Sequence, residues 1–272
     1  MEMDDMLYHY TSVETLYNIF QNTENGFIKL RAGFFMNMND PYDCRYLMKE
    51  VSDILSEGST LSRDNIEKGI ESVMYDVGFP YFISLSQERD SLPMWSMYGK
   101  GGHGIAIGFS KEAIEKYVCK YQDIGNDEHK ALMKQCFCKL YDCQYWNKEA
   151  IKKNYIEKFG IKIDDTGKIT GIEDRDICSI SYLIKSPDYK YERECRIVFL
   201  YSPMSQREYN YMEFYIPLNG IEEIICGPCV EKGFVKAVLP PELQERVVES
   251  KIPYTDTPQR ILLNSYRELK HI

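Results

Sequence analysis

Apolar positions along the chain switch repeatedly between a period of two and a period near 3.6. Residues 7–10, LYHY, form a short apolar strand that runs directly into TSVETLYNIF. There Leu16, Ile19 and Phe20 recur at helical spacing, and Thr11 followed by Glu14 reads as a capping box. Gly26 stops that helix, and FIKLRA alternates as a strand. After the loop GFFMNMNDPYDC, the spacing predicts helices over 46–56 and 63–77, the second with Ile66, Ile70 and Val73 on one face. PYFISLS and GIAIGFS read as strands, and KEAIEKYV as a short helix.

Further on, 134–146 reads as extended, 148–158 as helical, and 161–173 as a hairpin or loop around DDTGKITG. DRDICSISYLIK, 174–185, has the pattern of a helix. YERECRIVFLY, YMEFYIPL and IEEIIC are strands. A helix follows near 230–247, interrupted at Pro240–Pro241, with a last strand around RILLN. Strands and helices mix without a βαβ beat, which predicts an α+β fold with a mainly antiparallel sheet core. No repeat or linker divides the chain, so 1–272 reads as one domain with helical insertions near 46–78 and 148–186.

Composition narrows the partners. Of 272 residues, 44% are apolar, enough for a sizeable core, and 28% are charged, as on a soluble surface. A net charge of -9 argues against broad nucleic-acid affinity. The N-terminus MEMDDMLYHY lacks the apolar region of a signal peptide, and no apolar run has membrane-spanning length, so a cytoplasmic protein without a membrane partner is expected. The nine cysteines should then be reduced, and Cys136, Cys138 and Cys143 have no histidine at ligand spacing, so no metal is expected.

Five stretches carry candidate chemistry. CGPC at 226–229 is the redox sequence of thioredoxin-like proteins, but it lies late, after Ile224–Ile225 and without a βαβ framework, so a strand end and Gly-Pro turn is the better reading. Tyr8-His9-Tyr10-Thr11 places one of four histidines at a strand-to-helix junction, opposite in face to the two tyrosines. That histidine is either satisfied by a backbone carbonyl or part of an anion site. Asn37 to Pro41 is a turn through side-chain hydrogen bonds and a fixed proline φ, and Asn39 and Asp40 are its candidate ligands. Trp95 and Tyr98 precede GKGGHG, whose glycines either bring N–H groups to a phosphate or merely turn the chain. In ERECR, strand periodicity puts Glu192, Glu194 and Arg196 on one face, away from the face that continues into Ile197 and Phe199. That face is a solvated ladder of ion pairs or a site.

YHYTS, NDPYD, FISLSQERDSLPMWSMYGKGGHGIAIGF, YKYERECRIVF and IEEIICGP occur in that order. The series resembles a large bacterial family of unknown function, some of whose members are associated with abortive-infection defence against phage. Ile83-Ser84-Leu85-Ser86 departs from a Cys-Phe-Ser run that many members have. The layout is also similar to the ADP-ribosyltransferase fold. That resemblance implies NAD as substrate, a histidine from the first strand, an aromatic or hydroxyl residue from a middle segment, and a late catalytic glutamate.

Carried over, the resemblance implies catalytic roles for Glu194, Glu192 and His9. Glu194 would stabilise the positive charge that builds on ribose as the nicotinamide bond breaks, Glu192 would activate substrate, and Arg196 would orient. His9 would hold the adenosine side or the ribose. Tyr8, Tyr10, Thr11, Asn39, Asp40, Trp95, Tyr98, His103 and Arg196 would bind the nucleotide, with the rings stacking on a base or on nicotinamide. The implied partners are a nucleotide-type small molecule and an acceptor that the sequence does not name. The alternative is a non-catalytic nucleotide- or nucleic-acid-binding defence module.

Overall fold

The computed structural model describes residues 5–35, 45–57, 59, 62–68, 79–164, 169–170, 181–201 and 210–253. Within these, α and β elements are mixed and most strand pairings are antiparallel. The chain divides into two compact units, one from Met1–Ile28, Ser86–Ala113 and Ile216–Ile272, the other from Lys29–Leu85 and Ile114–Tyr215.

In chain order the strands are β1 (Met6–Ser12), β2 (Phe27–Phe34), β3 (Phe79–Ser86), β4 (Gly104–Ser110), β5 (Cys136–Asp142), β6 (Gln144–Tyr145), β7 (Lys162–Ile163), β8 (Ile169–Thr170), β9 (Ile184–Lys185), β10 (Glu194–Tyr201), β11 (Tyr211–Pro217), β12 (Ile221–Cys226) and β13 (Val247–Glu249). In the first unit the order is β1-β4-β12-β13. β1 runs antiparallel to β4 from Met6↔Ser110 to Ser12↔Gly104. β12 is antiparallel to β4, with a bulge between Ile221 and Glu223, and parallel to β13. β4 is buried on both faces, as its unbroken apolar and glycine run GIAIGF requires. The helix Val13–Gln21 buries Leu16, Ile19 and Phe20. Its cap sits one residue later than expected: the Ser12 hydroxyl, not Thr11, accepts from the Thr15 amide at 3.0 Å.

In the second unit the order is β11-β2-β3-β10-β5. β10 pairs antiparallel with β5 from Cys195↔Asp142 to Tyr201↔Cys136. The helix Tyr46–Ser56 packs Leu47 and Val51 on Ile151, Tyr155, Ile156, Ile161 and Ile184. β7 and β8 form the expected hairpin. The helix expected over 174–185 is corrected where it is described: Ser181–Leu183 is a 3-10 turn, and β9 pairs parallel with β6. β13 was not expected. The expected helix near 230–247 is two short ones, Lys232–Ala237 and Pro241–Gln244, because Pro240 lacks an N–H and sits just before the second. The strand around RILLN and the C-terminal part of the 63–77 helix lie outside the described residues.

Candidate functional site

The start of β10 is built by a tight turn. Pro187–Glu192 is a 3-10 helix capped by the Ser186 hydroxyl, which accepts from the Asp188 amide at 3.3 Å. Arg193 then adopts a left-handed conformation, φ 40°, and the strand begins at Glu194. Glu192 therefore does not share a strand face with Glu194 and Arg196, which corrects the periodicity argument. Its carboxylate reaches the same place from the end of the helix. Nor is the face solvated: Glu192 is 2% exposed, Glu194 6% and Arg196 0%. β10 is a central strand buried on both sides, so alternation carries no inside-outside signal there.

What neutralises these charges is Lys185 on β9, itself buried. Its Nζ donates to Glu192 Oε2 at 2.5 Å and to Glu194 Oε2 at 2.7 Å. Arg196 holds Glu194 through two nitrogens, Nε to Oε1 at 2.7 Å and Nη2 to Oε2 at 3.0 Å. Arg196 Nη1 also donates to the Tyr182 carbonyl. The guanidinium lies 4.4 Å from the Phe82 ring centroid and the Lys185 ammonium 5.1 Å from that of Tyr189. The Glu194 amide donates to the Tyr145 hydroxyl at 2.8 Å. Burial by itself would push the Glu194 carboxyl up, but Arg196 and then Lys185 outweigh it and hold the carboxyl well below its usual range. Burial pushes the Tyr145 hydroxyl up, so it stays a neutral phenol. Two cations and two carboxylates thus form one buried, balanced network within the second unit.

The first unit holds a separate constellation. Tyr8, Tyr10 and Trp95 pack with Met6, Met94, Ala106 and Ile225, and Tyr98 lies half-buried against them. The Tyr10 and Trp95 rings meet edge-on with centroids 4.8 Å apart. Trp95 Nε1 donates to Asp90 Oδ1 at 2.6 Å, and the Tyr10 hydroxyl to the Glu88 carbonyl at 2.7 Å. The Tyr8 hydroxyl donates to Glu223 Oε1 at 2.9 Å, and Arg89 grips the same carboxylate through Nε at 2.8 Å and Nη2 at 2.6 Å. Gly108 faces both Tyr8 and Glu223 across the sheet. A Cβ there would meet the Tyr8 ring at 2.8 Å, so glycine lets these groups meet over β4. Burial pushes the Tyr8 and Tyr10 hydroxyls up. His9 and Thr11 are half-buried on β1, with His9 opposite Ile107. His103 is exposed at the end of the glycine loop. Asn39 and Asp40 lie outside the described residues.

The glycine loop does not present a row of amides to a phosphate. Gly102 N–H and Gly104 N–H donate to the Gly99 carbonyl at 3.0 and 2.8 Å, and His103 N–H to Lys100 at 3.3 Å. The loop's carbonyls serve the CGPC turn instead. Gly227 N–H donates to Gly104 and Cys229 N–H to Gly102, each at 2.9 Å. A Cβ on Gly227 would stand 2.5 Å from the Gly102 oxygen, so the two segments cross backbone to backbone. CGPC is thus the end of β12 and a turn. Cys226 and Cys229 are free, and burial pushes the Cys226 thiol up to about 11, opposite to what a dithiol nucleophile needs. Among the described residues, no group of three or more His, Cys, Asp or Glu side chains is placed to hold a metal ion. No helix among them is long and apolar enough to cross a membrane.

Lys185, Tyr145, Glu223 and Asp90 escaped the sequence reading. The expected helix over 174–185 already stops before the turn signal Ser186-Pro187, and nothing in the spacing of Lys185 marks it as a partner of Glu192 or Glu194. No curated protein matches the chain, and no solved structure does. A family model described as a protein of unknown function, DUF2971, matches residues 94–197. The matched span contains Trp95, Tyr98 and His103 together with all four members of the ion network, and leaves out β1 with His9.

Proposed function

We propose that the chain cleaves the nicotinamide–ribose bond of NAD, as an ADP-ribosyltransferase-like enzyme or an NAD glycohydrolase. The bond between ribose C1′ and the nicotinamide nitrogen breaks, its electron pair leaves with nicotinamide, and water or an acceptor nucleophile captures the ribosyl cation. The observation that supports this best is an ionised Glu194 beside Glu192 at the start of a rigid central strand. A fixed carboxylate favours developing positive charge by about 3–4 kcal/mol. Glu192 and Glu194 share one ammonium, which takes the place between them where an attacking water would otherwise be held. Capture by a nucleophile not held between these carboxylates, an acceptor side chain or solvent, fits that arrangement.

The residues fit NAD in part. The faces of Tyr8, Tyr10 and Trp95 are taken by core packing, and Tyr98 lies half-buried against the same cluster. The setting we propose, defence against phage in the cytoplasm, rests on the ordered motif series and on the lack of a signal-peptide pattern.

A second reading is a non-catalytic module that binds a nucleotide. It is favoured by Glu194 being engaged through both oxygens, so that its charge is already matched. Calorimetric titration with NAD, paired with chromatographic measurement of nicotinamide, separates the two. Binding with release supports the enzyme, saturable binding without release supports the module, and neither binding nor release refutes the enzyme and a module whose ligand is NAD.

A further inference from the structure

We infer that Lys185 is the positioning residue of this carboxylate centre: its ammonium ties Glu192 to Glu194 and sets the geometry of the pair. The catalytic half of this inference rests on the NAD reading, and the geometric half does not. Glu192 and Glu194 come from different backbone environments, one ending a 3-10 helix and the other opening a strand, with a left-handed Arg193 between them. Local structure therefore does not hold their carboxylates in register. Arg196 orients Glu194 through both oxygens, and Lys185, at 2.5 and 2.7 Å, bridges Glu194 to Glu192.

The bridge is itself anchored. β9 pairs parallel with β6, matching Lys185 to Tyr145, and the Trp146 amide donates to the Lys185 carbonyl at 3.1 Å. The same Tyr145 takes the Glu194 amide. One two-residue strand thus fixes the backbone of Lys185 and, through a phenol, the backbone of Glu194. The lysine side chain runs over the Tyr189 ring, inside the turn that delivers Glu192. Without the ammonium, the two carboxylates lose the cation they share and repel across a site with little water.

The experiment uses the full chain with glutamates labelled at the side-chain carboxyl carbon, and reads the Glu194 titration by NMR, assigned with Glu194→Gln. In Lys185→Met its midpoint rises from the wild-type value, because one of its two cations is gone. An unchanged midpoint overturns the inference. Should Lys185→Met not fold, Glu192→Gln reads the same coupling from the other side. With the competing carboxylate gone, Glu194 no longer shares the Lys185 charge with Glu192 and its midpoint falls, and no change there overturns it equally.

Nicotinamide release supplies the catalytic readout. Lys185→Met lowers kcat by ~10²-fold, the cost of misplacing a reacting group by about 1 Å, with KM nearly unchanged. Adding Glu192→Gln to Lys185→Met causes little further loss, because both changes break one unit. A loss in KM alone, or full additivity, contradicts the positioning role. If wild type releases no nicotinamide, the NAD reading fails while the NMR titration still decides the role of Lys185.

Discussion

Arg196 has no exposure, a carboxylate along one edge and the Phe82 ring against its face. Replacing it by methionine keeps the length and removes the charge, which leaves Glu194 with one cation fewer in a dry place. The expected cost is about 3–5 kcal/mol, read as a lower denaturant midpoint. Glu194 gives a pH signature of known sign. Its folded carboxyl lies below the unfolded value of about 4.3, so its contribution is present above that value and lost as pH falls through the folded one. The stability gap between wild type and Glu194→Gln should therefore narrow on acidification below about pH 4. A gap independent of pH would show that the ion pairs contribute nothing in the folded state. At this scale the sequence singles out ERECR by its residue types. It does not reveal burial, because both faces of a central strand are covered, and it hides Lys185, whose role arises only when a 3-10 turn folds Glu192 back onto it.

At the scale of elements, the glycine loop and the CGPC turn cross backbone to backbone. Gly227→Ala puts a methyl group 2.5 Å from the Gly102 oxygen and 2.8 Å from that of Gly104, both backbone atoms. A loss of about 1–3 kcal/mol in chemical unfolding is expected. Gly233→Ala makes the contrast: no atom lies within 4 Å of its added Cβ, and the residue sits in the helix Lys232–Ala237. It should gain about 0.5–1 kcal/mol. The thiols divide in the same way. Alkylation of the native chain followed by peptide mapping should modify exposed Cys119 and spare buried Cys226. Rapid labelling of Cys226 would reopen the dithiol reading. Periodicity made the longer strands of both units legible as patterned runs bounded by turns, while β9 fell inside an expected helix. The cap shifted by one residue and β13 was missed, since three residues, VVE, earn their place only by pairing with β12.

For the whole molecule, the alternation of short strands and helices correctly implied a mixed fold with mainly antiparallel pairing. The two-unit division was not legible, because each unit is assembled from separated segments and no linker composition marks the joins. The net charge of -9 sets a further expectation at this scale. Binding to mixed-sequence DNA or RNA at about 150 mM salt should be undetectable by fluorescence anisotropy, and tight binding would favour the nucleic-acid form of the second reading. The family match over 94–197 spans the whole ion network, and the proposal places its chemistry on the two carboxylates there. The most direct test is nicotinamide release from NAD by wild type and by Glu194→Gln, each first shown to be folded by circular dichroism. Release by wild type that falls by ~10²–10³-fold in the variant is predicted; no release by wild type, or equal release by both, would contradict it.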